Sequence, residues 1–285
     1  MKKASRCSGP DFAEILWKNF NFKPFPKVPK SLAFGKGFEY NIFMSIRKIP
    51  LIVGEYYHIY NRGNSKQKIF LDDEDYHRFI KLLYLCNSEK RVNFRENIVE
   101  KKIDVFDYER GEQIISIGAW VLMPNHFHLY ITEPTSPKQG FGEGFGEEEK
   151  SKITEFMSKL STAYSKYFNK KYNRTGKLFE DKFKSEHVAE EIYAKYLFSY
   201  IHLNPLKLVD PKWKEESIQN KENETMKFLN EYCFSSYLDF SGIIRPENKI
   251  ISTKDFPDYF SNKEDFKKEI LDWISFPPKQ GFGDI

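Results

Sequence analysis

Residues 119–131 read AWVLMPNHFHLYI and contain two apolar, aromatic runs separated by a Pro-Asn pair. The runs, at 114–123 and 126–132, are rich in the β-branched and aromatic side chains that strands favour. Proline and asparagine are common between strands, in turns. We therefore predict that these runs form two adjacent β-strands.

The segments on either side of this pair add further elements. Residues 55–62 are rich in Tyr, Ile and His and end in Arg-Gly-Asn, which indicates a strand that closes in a turn. SEHVA at 185–189 is also strand-like. Apolar residues spaced three and four apart predict three helices, at 72–86, from 153 to about 173–176, and from 192 to the Asn-Pro pair at 204–205.

The ends of these helices carry recognisable signals. Asp72 is a plausible N-cap of the first helix, and the second should stop near 173–176 because Gly176 suits a C-cap. Residues 87–112 are polar and form either an excursion or a hairpin. A further helix is expected near 263–274.

Composition excludes several classes of protein. With 40% hydrophobic and 30% charged residues, the chain can bury a core and is not expected to be disordered. No stretch approaches the roughly 18 apolar residues of a membrane helix, and no secretory signal is visible, so we expect a cytoplasmic protein without a membrane partner. The 3 cysteines are far apart and form no CxxC pair, which argues against a disulfide framework or a thiolate zinc site.

Charge is distributed unevenly along the chain. The net charge is only +4, and residues 1–43 hold eight Lys or Arg against three acidic residues. Residues 159–184 hold eight Lys or Arg against two acidic residues, which suggests an anion-binding stripe. A solvated helix face is the alternative for this stripe. Regular patterning begins at Met44, so residues 1–43 are expected to be a tail or an upstream extension.

A histidine pair and a tyrosine–asparagine pair are the candidates for chemistry. On a strand, His126 and His128 project from one face and form half of a metal site, although each is also an ordinary sheet residue in many proteins. Tyr200 and Asn204 share a face near the end of the third helix and offer a phenol nucleophile beside an amide ligand. Alternatively, Tyr200 is a core aromatic residue on the same helical stripe as Tyr196, and Asn204 only terminates the helix.

Five segments together resemble the transposases of the single-tyrosine HUH superfamily, in particular the REP-associated tyrosine transposases. The likeness spans roughly residues 56–237, with the motifs in the same order. The segments are YYHIYNRGNSKQKIF, AWVLMPNHFHLYI, YFNKKYNRTGKLFEDKFKS, YLFSYIHLNPLKLV and FSSY.

This resemblance implies an α+β fold: a ferredoxin-like antiparallel sheet with helices on one face, extended by C-terminal helices and an N-terminal tail. The implied organisation is a tail at 1–43, the HUH transposase domain at 44–240 and a C-terminal extension at 241–285.

The resemblance also implies an activity. Tyr200 would attack single-stranded DNA near a hairpin and form a 5′-phosphotyrosine intermediate, from which strands are rejoined. His126, His128 and Asn204 would bind Mg²⁺ or Mn²⁺. The partner would be single-stranded DNA with a hairpin, and the protein would be a monomer or a homodimer.

The basic stripe would then contact the DNA backbone. Asn61 and His58, in the first strand, would bind DNA or support the site. Alternatively, Asn61 belongs to a turn signature and His58 is a buried strand histidine. The candidate DNA-binding residues are Arg62, Lys166, Lys170, Lys171, Arg174, Lys177, Lys182 and Lys184.

Two other functions remain open at this point. The first is a non-cutting protein that binds hairpin DNA, and the second is a metal-dependent nuclease that uses activated water. Tyr196, one helical turn before Tyr200, is the reserve nucleophile.

Overall fold

The computed structural model describes residues 50–135, 151–211, 213, 222–259 and 262–275 of the 285-residue chain. The expected tail at 1–43 lies outside these residues. In the described part, four strands form one antiparallel sheet in the order β2-β3-β1-β4. The strands are β1 (Tyr56–Arg62), β2 (Ser116–Met123), β3 (His126–Thr132) and β4 (Lys184–His187).

Six α-helices accompany this sheet in the described part of the chain. They are α1 (Asp73–Cys86), α2 (Lys152–Lys171), α3 (Glu191–Leu203), α4 (Glu222–Glu231), α5 (Tyr237–Phe240) and α6 (Lys263–Ser275). The chain order β1-α1-β2-β3-α2-β4, combined with the strand order of the sheet, is the ferredoxin-like βαββαβ topology. The predicted α+β, ferredoxin-like fold is confirmed.

One face of the sheet packs against α1 and α2. Phe127 on β3 contacts Phe79 of α1, with ring centroids 5.0 Å apart. Phe79 in turn meets Tyr164 of α2 at 4.9 Å in an edge-to-face arrangement. Successive side chains on a strand alternate between faces, so Phe127, between the two histidines, points into this core.

The opposite face of the sheet carries the histidines and is covered by α3 and by residues beyond 240. Tyr130 of β3 packs against Phe256, with ring centroids 4.9 Å apart. Phe256 also lies over Gly118, where an added Cβ would come within 2.9 Å of its ring. A larger residue at position 118 would therefore require the Phe256 ring to shift.

The ends of the elements mostly follow the sequence signals. Asp72 caps α1 by accepting a hydrogen bond from the backbone N–H of Asp75. The expected glycine cap of α2 is wrong in detail, because α2 ends at Lys171 and Asn173 takes the left-handed conformation, with φ 50°. Gly176, with φ 84°, turns the loop that follows.

Residues 87–112, all described, form an excursion and not a hairpin. They contain a π-helical turn at Arg95–Val99 and a 3-10 turn at Val105–Asp107, and they include no strand. Within the described ranges, none of the helices combines the length and apolarity that crossing a bilayer requires.

Candidate active site

The histidine pair lies on one face of β3, as the spacing predicts. The rings of His126 and His128 are 5.0 Å apart between centroids and nearly perpendicular, at 87°. Both side chains are buried, with 9% of His126 and 2% of His128 exposed. The β3 backbone therefore fixes two imidazoles side by side at the edge of the core.

Helix α3 brings Tyr200 to this pair. The Tyr200 ring meets His128 edge to face, with centroids 5.7 Å apart and planes at 80°. Tyr200 is 3% exposed. Tyr196, the reserve nucleophile, packs against Trp273 of α6 at 5.2 Å. The residue of this helix that contacts the histidine pair through a ring is thus Tyr200.

Asn204 begins a 3-10 helix, Asn204–Leu208, directly after α3. Its side chain is fully buried, and neither amide atom makes a hydrogen bond of good geometry. The amide nevertheless lies near enough to His126 to raise the pKa of that imidazole, against the larger effect of burial. All four residues predicted for catalysis and metal binding are therefore brought together by β3 and the end of α3.

Both histidines are in the neutral form that binds metal. Burial, helped by the Lys207 ammonium, lowers the pKa of His126 to about 3. Burial also holds the pKa of His128 well below its usual value, with further lowering from His126, His58 and Lys207. A neutral imidazole has a lone pair for a cation, which imidazolium lacks.

Hydrogen bonds assign the proton on His126. Its Nδ1 lies 2.6 Å from the side-chain oxygen of Asn125. An amide oxygen only accepts, so Nδ1 carries the proton and Nε2 keeps its lone pair. The turn between β2 and β3 thus sets the tautomer that a metal ligand needs.

These residues fit a divalent cation. The donor set consists of two neutral imidazoles and one buried amide without a hydrogen-bond partner, which leaves coordination positions for a substrate. No group of three or more His, Cys, Asp and Glu side chains suited to a metal occurs in the described part of the chain. Mg²⁺ prefers oxygen ligands, so two nitrogen donors favour Mn²⁺ of the two expected cations.

Lys207 is a residue of the site that the sequence reasoning missed. Its ammonium donates a hydrogen bond of 3.2 Å to the hydroxyl oxygen of Tyr200 and lies 5.0 Å from the ring centroid. It sits seven residues after Tyr200, in the 3-10 helix that begins with Asn204. The signal available in the sequence is a lysine just past the Asn-Pro pair. A cation beside the hydroxyl favours negative charge on that oxygen.

A pocket of about 160 Å³ opens onto the histidine pair. Basic, acidic and amide side chains line its walls, so it suits a charged ligand that also carries hydrogen-bond donors and acceptors. The lining residues are Tyr60, Asn61, Arg62, Lys66, Asn125, His126, His128, Glu180, Asp181 and Lys184.

The turn after β1 forms one wall of this pocket. The N–H of Gly63 donates to the carbonyl of Asn125 at 2.8 Å, which ties this turn to the β2–β3 turn. A Cβ on Gly63 would lie 2.1 Å from the carbonyl oxygen of Gln67, so only glycine fits. Asn61 adds a hydrogen bond of 3.0 Å to the carbonyl of Asp181. The Arg-Gly-Asn turn of the sequence therefore has a structural role at the pocket.

The predicted DNA-binding cations divide into two groups. Arg62 lies on the pocket wall, where it pairs with Glu180 in a two-point contact. Arg174 is half-buried, with its guanidinium 5.4 Å from the Phe168 ring centroid. The exposed members are Lys166, Lys170, Lys177, Lys182 and Lys184.

The ammonium group of Lys171 forms ion pairs with a cluster of acidic side chains. Its ammonium contacts the carboxylates of Asp72, Glu74 and Asp75 at 2.8, 3.0 and 3.0 Å. These contacts raise its pKa against the opposing effect of burial. The interaction joins the end of α2 to the start of α1, so Lys171 stabilises the fold and we leave it out of the exposed basic surface.

Comparison with known proteins finds similarity to solved structures. No family model and no curated protein matches the chain. The chain is similar to the structure of a REP-associated tyrosine transposase bound to a REP hairpin, with 14% identity and a TM-score of 0.38. The match covers 72% of this chain and 90% of that one.

Proposed function

We propose that the chain cleaves and rejoins single-stranded DNA near hairpins, with Tyr200 as the nucleophile. The observation that carries the proposal is the packing of Tyr200 against His128, beside His126 and Asn204. A tyrosine, two histidines and an asparagine from two distant segments lie together there. The resemblance to REP-associated tyrosine transposases implies this combination of residues.

In this proposal the hydroxyl oxygen of Tyr200 attacks the scissile phosphorus. The bond from phosphorus to the 3′ oxygen breaks, that oxygen takes up a proton, and the phenol proton passes to solvent. The products are a free 3′-hydroxyl and a 5′-phosphotyrosine. Attack by another 3′-hydroxyl reverses the step and joins strands, because the phosphotyrosine keeps the energy of the original bond.

The surrounding residues prepare this step. Lys207 donates to the attacking oxygen, at 3.2 Å in the free protein, and favours the developing phenolate. Neutral His126 and His128 and the amide of Asn204 would bind Mn²⁺ or Mg²⁺. A cation held by these residues would supply positive charge that stabilises the charge added to the phosphate. Because Tyr200 is 3% exposed, side chains around it must shift to admit a phosphate.

The DNA partner would be a hairpin with an adjoining single strand. Five exposed lysines, on α2 and on the loop and strand that follow it, provide charge for the backbone, namely Lys166, Lys170, Lys177, Lys182 and Lys184. The protein would act in the cytoplasm as a monomer or a homodimer.

An adduct assay tests the proposal. Wild type, Tyr200→Phe and Tyr196→Phe are incubated with Mn²⁺ and labelled single strands tiled from hairpins that flank the gene. We expect DNA that migrates with the denatured protein for wild type and Tyr196→Phe, and none for Tyr200→Phe. Tyr196→Phe is a matched control because it removes a hydroxyl from the same helix.

Each other outcome favours a different function. Hairpin binding without cleavage in all three proteins would indicate a non-cutting DNA-binding protein. Cleavage without an adduct that survives Tyr200→Phe would indicate a nuclease that uses water. An adduct lost only in Tyr196→Phe would move the nucleophile to Tyr196.

A further inference from the structure

We propose that Glu186 and His58 form a chain behind His128 that fixes its tautomer, so that Nε2 of His128 is free to bind the cation. The proposal rests on the metal site of the proposed function. It assigns positioning roles to two residues that contact neither the cation nor the DNA, and it extends the site across three strands of the sheet.

The contacts run across β3, β1 and β4. Nε2 of His58 lies 2.8 Å from Nδ1 of His128, and the two rings stack with centroids 5.0 Å apart at 19°. Nδ1 of His58 lies 3.6 Å from a carboxylate oxygen of Glu186, an ion-pair distance that is longer than a hydrogen bond, and this nitrogen makes no hydrogen bond to atoms of the described residues. His58 and Glu186 are directly paired between β1 and β4, so the sheet register sets the last contact.

For a neutral His58, one arrangement of protons suits both ends of this chain, whereas a doubly protonated His58 would donate to both neighbours and leave the proton of His128 on Nε2. If Nδ1 of His128 donates to His58, then His58 carries its own proton on Nδ1, directed at the carboxylate. In the reverse arrangement of a neutral His58, Nδ1 would present a lone pair to the negative carboxylate of Glu186, whose side chain is 32% exposed. Repulsion between the lone pair and the carboxylate disfavours that arrangement, because His58 itself is fully buried.

The carboxylate itself is held in place. Tyr60 donates to Glu186 at 2.9 Å, and Tyr193 donates to its other oxygen at 3.4 Å. Burial acts to raise the pKa of Glu186, but contacts with His58 and the two phenols outweigh it, and the pKa is lowered. A fixed negative charge therefore stands at the end of the chain and selects the proton positions along it.

The consequence for His128 is a free Nε2. Metal-bound histidines usually donate their second N–H to an acceptor, which fixes the ring and raises its basicity. His126 has such an acceptor in Asn125, and in this proposal His128 has one in His58. Both imidazoles would then present Nε2 to the same cation.

Nitrogen-15 NMR of the imidazoles tests the tautomers in metal-free protein. We expect His128 and His58 to be protonated at Nδ1 and unprotonated at Nε2. In Glu186→Gln the charge is lost while the shape is kept, and His58 and His128 should show a mixture of tautomers. A proton on Nε2 of His128 in the wild type would overturn the proposal, whatever the protein does with DNA.

Titration with Mn²⁺ gives the second readout. Loss of an outer partner of a metal-bound histidine typically weakens affinity about 10- to 100-fold, and we expect a loss in this range for Glu186→Gln. The matched control is Glu55→Gln, because Glu55, just before β1, pairs with His187 of β4 at 2.7 Å, away from His128. Its Mn²⁺ affinity should equal that of the wild type.

The outcomes separate the two proposals. If wild type and His126→Ala bind Mn²⁺ equally, the proposed metal site is wrong. The NMR result then still decides whether the tautomer assignment is correct. If His126→Ala loses Mn²⁺ but Glu186→Gln binds as tightly as wild type, the positioning chain is wrong and the metal site remains.

Discussion

Replacing Lys207 by methionine should slow formation of the phosphotyrosine adduct by about 100- to 1000-fold, the usual effect of removing one donor to a developing oxyanion. The ammonium lies 3.2 Å from the hydroxyl oxygen of Tyr200. At an effective dielectric constant of about 20, a full charge on that oxygen would be stabilised by about 5 kcal/mol at this distance. Only part of the charge has developed at the transition state, so the smaller kinetic effect is expected.

Metal binding should respond differently. Lys207 lowers the pKa of both His126 and His128 through its positive charge, and the same charge opposes a cation at these imidazoles. Lys207→Met should therefore bind Mn²⁺ at least as tightly as wild type. A role limited to folding would instead reduce binding and cleavage together.

Single-turnover adduct formation with labelled hairpin DNA measures the rate, and Mn²⁺ titration measures the affinity. Lys207→Arg keeps the charge and should recover much of the rate. Lys195→Met is the matched control, because Lys195 is on α3 and its ammonium contacts Glu269 of α6 at 3.4 Å. A rate for Lys207→Met within threefold of wild type, or no recovery with arginine, would refute the reasoning.

Three further changes probe the fold and the basic surface. Gly63→Ala should lower the free energy of unfolding in urea by about 3 kcal/mol, because the new Cβ would meet the Gln67 carbonyl at 2.1 Å. Asp75→Asn should lower it by about 2 kcal/mol, because a buried carboxylate bonded to Lys171 is lost. Lys177→Ala should weaken hairpin binding and reduce the slope of log affinity against log salt by about 0.9.

The glycine and lysine predictions each have a matched control. Gly176→Ala should cost only about 1 kcal/mol, because Gly176 has φ 84° but nothing within 4 Å of an added Cβ. Equal losses for the two glycines would contradict the close approach at Gly63. For DNA binding the control is Lys263→Ala on α6, and an unchanged salt slope for Lys177→Ala would remove that residue from the surface.

Much of the fold was accessible from local patterns. The two runs of β-branched and aromatic residues in AWVLMPNHFHLYI predict both strands, and apolar spacing predicts α1, α2 and α3 to within a few residues. The four residues singled out for catalysis and metal binding meet at one place. Helix and strand spacing puts each pair on a common face, and the resemblance to the REP-associated tyrosine transposases implied that the two pairs meet.

What the sequence did not reveal depends on contacts between distant residues. Lys171 is part of a basic run, yet its partners Asp72 and Asp75 lie about a hundred positions earlier. Glu186 reaches His58 only because β4 pairs with β1 at the edge of the sheet. Periodicity reports which face a residue occupies but not which residue faces it across the sheet. The same limit hid Lys207, whose position follows from the turn after α3.

The central claim is that Tyr200 carries the DNA after cleavage. The most direct measurement is mass spectrometry of the purified adduct, after nuclease and protease digestion, to locate the residue that keeps a nucleotide phosphate. The account predicts this mass on Tyr200. A modified residue elsewhere, or cleaved DNA with unmodified Tyr200, would contradict it.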